Sequence, residues 1–165
     1  GDIIILYEGD GTADPADVPY FYAVMRAGRC EFIEGSRFVY PLDRQSMRAV
    51  NRVGNIVFAL WFSYFLGQTS TDVLSGIKAI GAEDFHVIDR NWGFLGVDDP
   101  FGDFELLYGA ARFGLRIGEL PMRHHARSYG ETKTRVLKHG FTLCRMAARG
   151  YRVFRTMVAA KESRL

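Results

Sequence analysis

The chain has 165 residues, 48% hydrophobic and 24% charged, the composition of an ordinary globular protein and the length of one domain. A formal net charge of +2 carries no global nucleic-acid signature, and no nucleic-acid partner is expected. The charge is uneven, however: the 13 Lys and Arg residues from Arg112 to Arg164 face only Glu119, Glu131 and Glu162, which suits an anionic partner such as phosphate or an acidic membrane surface.

The apolar run Ile3 to Leu6 predicts a strand over 2–7, buried on both faces of a parallel sheet. It leads into Glu8-Gly9-Asp10-Gly11-Thr12, then Asp14, Pro15 and Asp17. Carboxylates this close repel one another unless a cation or helix-end donors compensate them. Asp14 and Asp17 read as helix caps, with Pro15 opening a helix over 15–27 and Gly28 closing it. A second strand over 30–39 carries Gly35-Ser36-Arg37. A long helix follows over 43–67, with Arg44, Arg48 and Arg52 on one face. Its apolar part, Ile56 to Leu66, is too short for a bilayer span and reads as a buried core helix. Residues 69–81 read as a polar loop entering a short strand, and 99–114 as a helix closed by Gly114. A third strand begins at Leu115 and is broken by Pro121. After a polar, basic loop over 126–135, apolar residues recur at helical spacing from Val136 to about Val158. Cys30 and Cys144, without metal-ligand spacing, read as reduced, buried thiols.

Five clusters carry chemistry. Glu8-x-Asp10 at a strand end can offer two carboxylates to a hard divalent cation, which favours oxygen ligands and often shares them with substrate phosphates. Arg37, after Gly35-Ser36, can present its guanidinium fork to phosphate oxygens. Asp72-x-x-Ser75-Gly76-x-Lys78 lies in a loop, and Asp103-x-Glu105 opens a helix. Arg127-x-x-Gly130-Glu131-Thr132-Lys133 is a basic loop suited to an anion that comes and goes. Each is weak singly, with a surface arginine or an acidic turn as the ordinary alternative.

In order along the chain, these clusters resemble the second half of family 2 glycosyltransferases, most of all the dolichol- and polyprenyl-phosphate hexose synthases. The resemblance spans Asp2 to Arg155 and includes Arg48-x-x-Asn51-x-x-x-Asn55. It implies an α/β fold: a partial GT-A, Rossmann-like domain with a mixed sheet, lacking the N-terminal nucleotide-binding half. Residues 1–135 would be the acceptor-side half and 136–165 a basic amphipathic C-terminal helix; its arginine-rich end, 149–165, is expected to project from the domain and bind an acidic membrane surface. Glu8 and Asp10 would hold Mg2+ or Mn2+, with Glu8 standing where the family usually has Asp, one methylene shorter. Arg37, with Arg48 or Arg52, would contact the acceptor phosphate, and Ser75 and Glu105 would line the substrate site. Asp72, Arg127 and Lys133 would serve catalysis, the last two closing over the diphosphate.

The implied reaction transfers a hexose from a GDP- or UDP-linked sugar to a polyprenyl phosphate at the cytoplasmic face of a membrane. A phosphate acceptor is largely ionised near neutral pH and needs no strong base, in keeping with four histidines that show no catalytic pairing. A soluble relative acting on a hydroxyl would need one, with Asp72 or Glu105 as candidates. A non-catalytic phosphate- or membrane-binding module is the third reading. The start of the chain, so close to the metal motif, suggests a piece of a larger protein, with an open sheet edge through which it could oligomerise and little activity alone.

Overall fold

The computed structural model describes residues 1–41, 47, 49–99, 102–126 and 136–162, the side chains of 136–138 and 155–162 excepted. The elements are β1 (Ile3–Tyr7), α1 (Val18–Arg26), β2 (Phe32–Ser36), α2 (Ala49–Leu66), β3 (Ile77–Gly81), α3 (Ala82–Arg90), α4 (Asp103–Arg112), β4 (Ile117–Pro121) and α5 (Val136–Glu162). A 3-10 turn at Pro15–Asp17 precedes α1 and splits the helix expected over 15–27. Gly28, at φ +66°, ends α1 in a conformation that costs a residue with a Cβ.

The four strands form one mixed sheet in the order β1-β3-β2-β4. β3 runs antiparallel to both β1 and β2, and only β2 and β4 are parallel. The α/β class with a mixed sheet is as expected and is consistent with a partial Rossmann-like glycosyltransferase fold. The parallel surroundings expected for β1 are not found. β1 pairs antiparallel with β3 alone, and among the described residues no strand lies on its outer side. Its continuous apolar run has another reason: Ile4 and Leu6 meet one core while Ile3 and Ile5 meet the other.

Those two cores place the sheet in the middle of three layers. On one face α1 seats Phe21 and Met25 against Ile33, Ile77, Ala79 and Met122. On the other, α2, α3, α4 and α5 enclose Phe32, Ile80, Phe62, Phe104, Leu107 and Tyr108. The aromatic rings meet edge to face, Phe62 and Phe104 at 4.9 Å and Phe65 and Phe154 at 4.6 Å between centroids. Each fully buried Phe contributes about 1.5–3 kcal/mol.

Three expectations are corrected here and one helix is added. First, α2 is not a buried core helix. Only Asn55, Phe58, Ala59 and Phe62 are buried, while Val50, Val53, Ile56, Val57, Leu60 and Tyr64 are 45–78% exposed. Across all 18 residues, α2 is long and apolar enough to cross a membrane by length and composition; the count from Ile56 to Leu66 had missed its first two turns. Second, α3 was unforeseen, although Glu83 and Asp84 in its first turn suit a helix start. Third, Cys144 is exposed and Cys30 half-buried. Fourth, α5 does not leave the domain at Arg149: Gly150 packs on the Tyr108 ring, Tyr151 meets Trp61 at 5.7 Å, and Arg149 Nη1 donates to the Leu95 and Gly96 carbonyls at 3.2 Å. Phe141, on the apolar side of α5, is 66% exposed.

Candidate functional site

β1 and β2 both run antiparallel to the strand between them, so their carboxyl ends emerge at the same sheet edge. That edge carries Glu8 and Asp10 after β1 and Arg37 after β2. The Glu8 amide still donates to the Gly76 carbonyl at 2.8 Å, and the Glu8 side chain lies over Gly76. A Cβ at Gly76 would sit 2.8 Å from Glu8 Oε2, so only glycine leaves that carboxylate in place. Asp10 Oδ1 accepts from the Thr12 amide at 3.0 Å and the Thr12 hydroxyl at 2.7 Å, closing a tight turn.

The other two carboxylates of the opening segment are compensated within the fold. Asp14 accepts from the Ala16 amide at 2.9 Å and caps the 3-10 turn, as expected. Asp17 makes no cap. It is 5% exposed, and it accepts from the Arg123 amide at 2.6 Å and the Arg123 Nε at 2.9 Å. The His125 amide donates to the Thr12 carbonyl at 2.7 Å. The acidic turn is thereby tied to the segment that leaves β4.

Arg37 and Asp72, assigned separate roles from sequence, form one unit. Arg37 donates from Nε to Asp72 Oδ2 at 2.6 Å, from Nη2 to Oδ1 at 2.7 Å, and from its amide to Oδ2 at 3.0 Å. Burial alone would raise the Asp72 carboxyl, but the Arg37 charge and these bonds outweigh it and hold the group below the usual carboxylate range. Beside them Lys78 is 3% exposed; its Nζ lies 2.5 Å from Asp103 Oδ1, 3.4 Å from Glu34 Oε1 and 2.7 Å from the Ser75 carbonyl. Burial works against the Lys78 charge, yet Asp103 and Glu34 win and raise its pKa. Burial pushes Glu34 up to about 8 despite Lys78, so this carboxyl keeps its proton at neutral pH.

A cavity of about 1020 Å³ opens over this edge. Its charged and polar lining includes Glu8, Asp10, Arg37, Ser75, Lys78 and Asp103. Val50, Phe58, Phe85, Trp92, Leu106 and Leu143 supply an apolar wall. Apolar enclosure with a few convergent polar groups is the usual form of a small-molecule site. Of the residues expected at the site, Glu8, Asp10, Arg37 and Ser75 line the cavity, and Asp72 lies beneath it holding Arg37.

Arg52 and Glu105 do not line it. Arg52 is exposed on another face of α2, its guanidinium 6.0 Å from the Phe38 ring centre. Glu105 is 1% exposed, and burial together with the Asp99 charge pushes it up to about 6. Arg48, Arg127 and Lys133 lie outside the described residues. Sequence reasoning passed over Glu34 and Glu119; the available signal was a lone carboxylate inside each of two otherwise apolar strands.

Among the described residues no three His, Cys, Asp or Glu side chains converge as a metal cage. The cavity instead offers a pair of oxygen donors, Glu8 and Asp10, beside space for a ligand. That donor set fits a magnesium-like ion, which is commonly held by one or two carboxylates plus substrate phosphates.

No family model matches the chain. It is 29% identical over 131 residues to the dolichyl-phosphate hexose transferase of Haloferax volcanii, covering 79% of this chain and 53% of that protein. It is 27% identical over 128 residues to glycosyltransferase AglJ of the same organism, covering 77% and 40%. It is 24% identical over 138 residues to the undecaprenyl-phosphate mannosyltransferase of Micrococcus luteus, covering 80% and 53%. The chain spans about half the length of the curated relatives it matches. The likeness first read from ordered motifs is thus matched by independent similarity along the chain, which aligns with part of three glycosyltransferases, two of them named for a dolichyl or undecaprenyl phosphate.

Proposed function

We propose that the chain forms the acceptor side of a metal-dependent glycosyltransferase. It would move a hexose from a GDP- or UDP-linked sugar to a polyprenyl phosphate at the cytoplasmic membrane surface. The observation that supports this best is Arg37, fixed by Asp72 at the rim of the cavity that also holds Glu8 and Asp10. An acceptor phosphate meets Arg37 at a stem already immobilised on Asp72, so its attacking oxygen is gathered at little ordering cost. That oxygen bonds to the sugar C1 as the bond from C1 to the nucleoside diphosphate breaks. A Mg2+ or Mn2+ ion on Asp10 and Glu8 would supply charge neutralisation for the departing diphosphate. Arg127 and Lys133, which follow β4 in the sequence, are proposed to add positive charge for the same diphosphate.

The apolar face of α2 supports a lipid-borne acceptor. Val50, Val53, Val57, Leu60 and Tyr64 recur at spacings of three and four residues and point outward, while Val50 and Gly54 also border the cavity. Such a stripe can lie in a bilayer interface and bring the headgroup of a membrane lipid to the cavity mouth. A hydroxyl acceptor is less well served: Asp72 is committed to Arg37, and Glu105 lies off the cavity. The test compares farnesyl phosphate with farnesol by calorimetry, then measures transfer of labelled hexose from UDP-glucose and GDP-mannose to undecaprenyl phosphate. Equal binding of farnesol and farnesyl phosphate would refute the phosphate reading.

A further inference from the structure

We propose that Glu119 is a positioning residue for phosphate recognition at Arg37, an assignment that rests on the reading of Arg37 as the acceptor contact. Glu119 sits in β4, in register with Glu34 of β2, which is in register with Lys78 of β3. Three ionisable side chains therefore form one row across the sheet, on the face covered by α2 to α5. Lys78 and Glu34 turn to each other at 3.4 Å. Glu119 turns instead to the loop ahead of β3. Its Oε1 accepts from the Thr71 amide at 2.7 Å, the Asp72 amide at 3.1 Å and the Ser70 hydroxyl at 3.2 Å. Its Oε2 accepts from the Thr71 hydroxyl at 3.0 Å.

These bonds set the direction of the next one. A carboxylate only accepts, so the single Thr71 hydroxyl proton points to Glu119. The 2.6 Å contact between Ser36 Oγ and Thr71 Oγ1 then has Ser36 as donor. Glu119 thus fixes both neighbours of the arginine: Asp72, which grips the guanidinium, and Ser36, which precedes it in the chain. It touches no group of the cavity itself and acts through the 70–72 turn. With that turn loosened, Asp72 keeps its charge but loses its aim, and Arg37 follows it.

The test uses the whole chain with Glu119→Ala, Glu119→Gln and Thr71→Val, and farnesyl phosphate as the probe. Two readouts are taken: the affinity for the probe, and the NMR resonance of the Arg37 Nε–H group that donates to Asp72. Glu119→Ala is expected to weaken farnesyl phosphate binding by about tenfold, the scale of one lost charge-assisted bond, and to shift or broaden the Arg37 resonance. Affinity for Mn2+ should not change. Glu119→Gln keeps a carbonyl for the Thr71 and Asp72 amides and should recover most of the affinity; Thr71→Val should fall between the two. Unchanged binding and an unmoved resonance in Glu119→Ala would overturn the assignment. Loss of cooperative unfolding in Glu119→Gln would overturn it too, by making Glu119 a stability residue. If the native chain itself ignores farnesyl phosphate, the acceptor reading of Arg37 falls, while the resonance still reports whether Glu119 sets its position.

Discussion

Replacing Glu34 by glutamine should remove a pH dependence that the native fold carries in its interior. Glu34 is 1% exposed, and its Oε1 lies 3.4 Å from Lys78 Nζ without a directed hydrogen bond. Burial raises its carboxyl from 4.5 to about 8; Lys78 opposes this, while Asp103, Asp72 and Glu119 reinforce it. The folded chain therefore holds a proton here that the unfolded chain has released. Stability from this group is full below about pH 4.5 and declines as pH rises through about 8. At 1.36 kcal/mol per unit, the gap of about 3.5 units corresponds to a loss on the order of 5 kcal/mol. Glutamine matches the neutral acid in shape and cannot ionise. Urea unfolding at intervals from pH 4.5 to 9 should show the native chain and Glu34→Gln close together at the acid end, with the variant the more stable at pH 8. Asp103 and Glu105 also have raised pKa values, but they titrate in both proteins and cancel in the difference. Parallel curves, offset by a constant, would refute the idea that Glu34 folds as the neutral acid.

The other predictions follow from single contacts. Asp10→Asn keeps an acceptor for Thr12 but removes a charge, so Mn2+ affinity by calorimetry should drop while the thermal transition stays; Gly76→Ala, which crowds Glu8 Oε2 at 2.8 Å, should weaken it as well. Arg37→Ala should weaken farnesyl phosphate binding in calorimetry and leave Mn2+ binding unchanged, through loss of a charge-assisted contact worth about 1.5–3 kcal/mol. Val57→Asp with Leu60→Asp should abolish flotation with anionic vesicles and leave the melting temperature nearly unchanged, because both side chains are already in solvent. Equal flotation of this pair and the native chain, with loss on removing residues 149–165, would return the lipid-facing role to the end of α5. Gly150→Ala, which drives a methyl into the Tyr108 ring, should destabilise the chain by about 1–3 kcal/mol in thermal unfolding.

Local rules made much of this legible in advance. Asp14, Pro15 and Gly28 bracket the first helical segment because caps and turn glycines act within a few residues. The resemblance carried by the ordered acidic, arginine and Thr-Asp clusters assigned Glu8, Asp10, Arg37 and Asp72 to one site; in the fold Glu8, Asp10 and Arg37 line one cavity and Asp72 holds Arg37. What failed depended on neighbours. A run such as Ile3 to Leu6 says that both faces of a strand are covered, not which way the adjacent strand runs. The periodicity of α2 fits a core helix or an unpartnered apolar face equally well, and only packing distinguishes them. Nothing in the pattern around Asp72 shows that it reaches 35 residues back to Arg37, nor that Glu119 reaches 48 residues back to Thr71.

The place of β3 between β1 and β2 fixes a distance as well as a topology. Two strand spacings of about 4.8 Å separate the chain that delivers the acidic pair from the one that delivers the arginine, a gap of roughly 10 Å. Backbone hydrogen bonds set that gauge, so side-chain substitutions do not alter it. The lining of the cavity can therefore vary while Arg37 and the Glu8 and Asp10 pair stay the same reach apart. Under the proposed function, variation in this scaffold is expected to change which sugar or lipid is handled and to leave the span between the two groups unaltered.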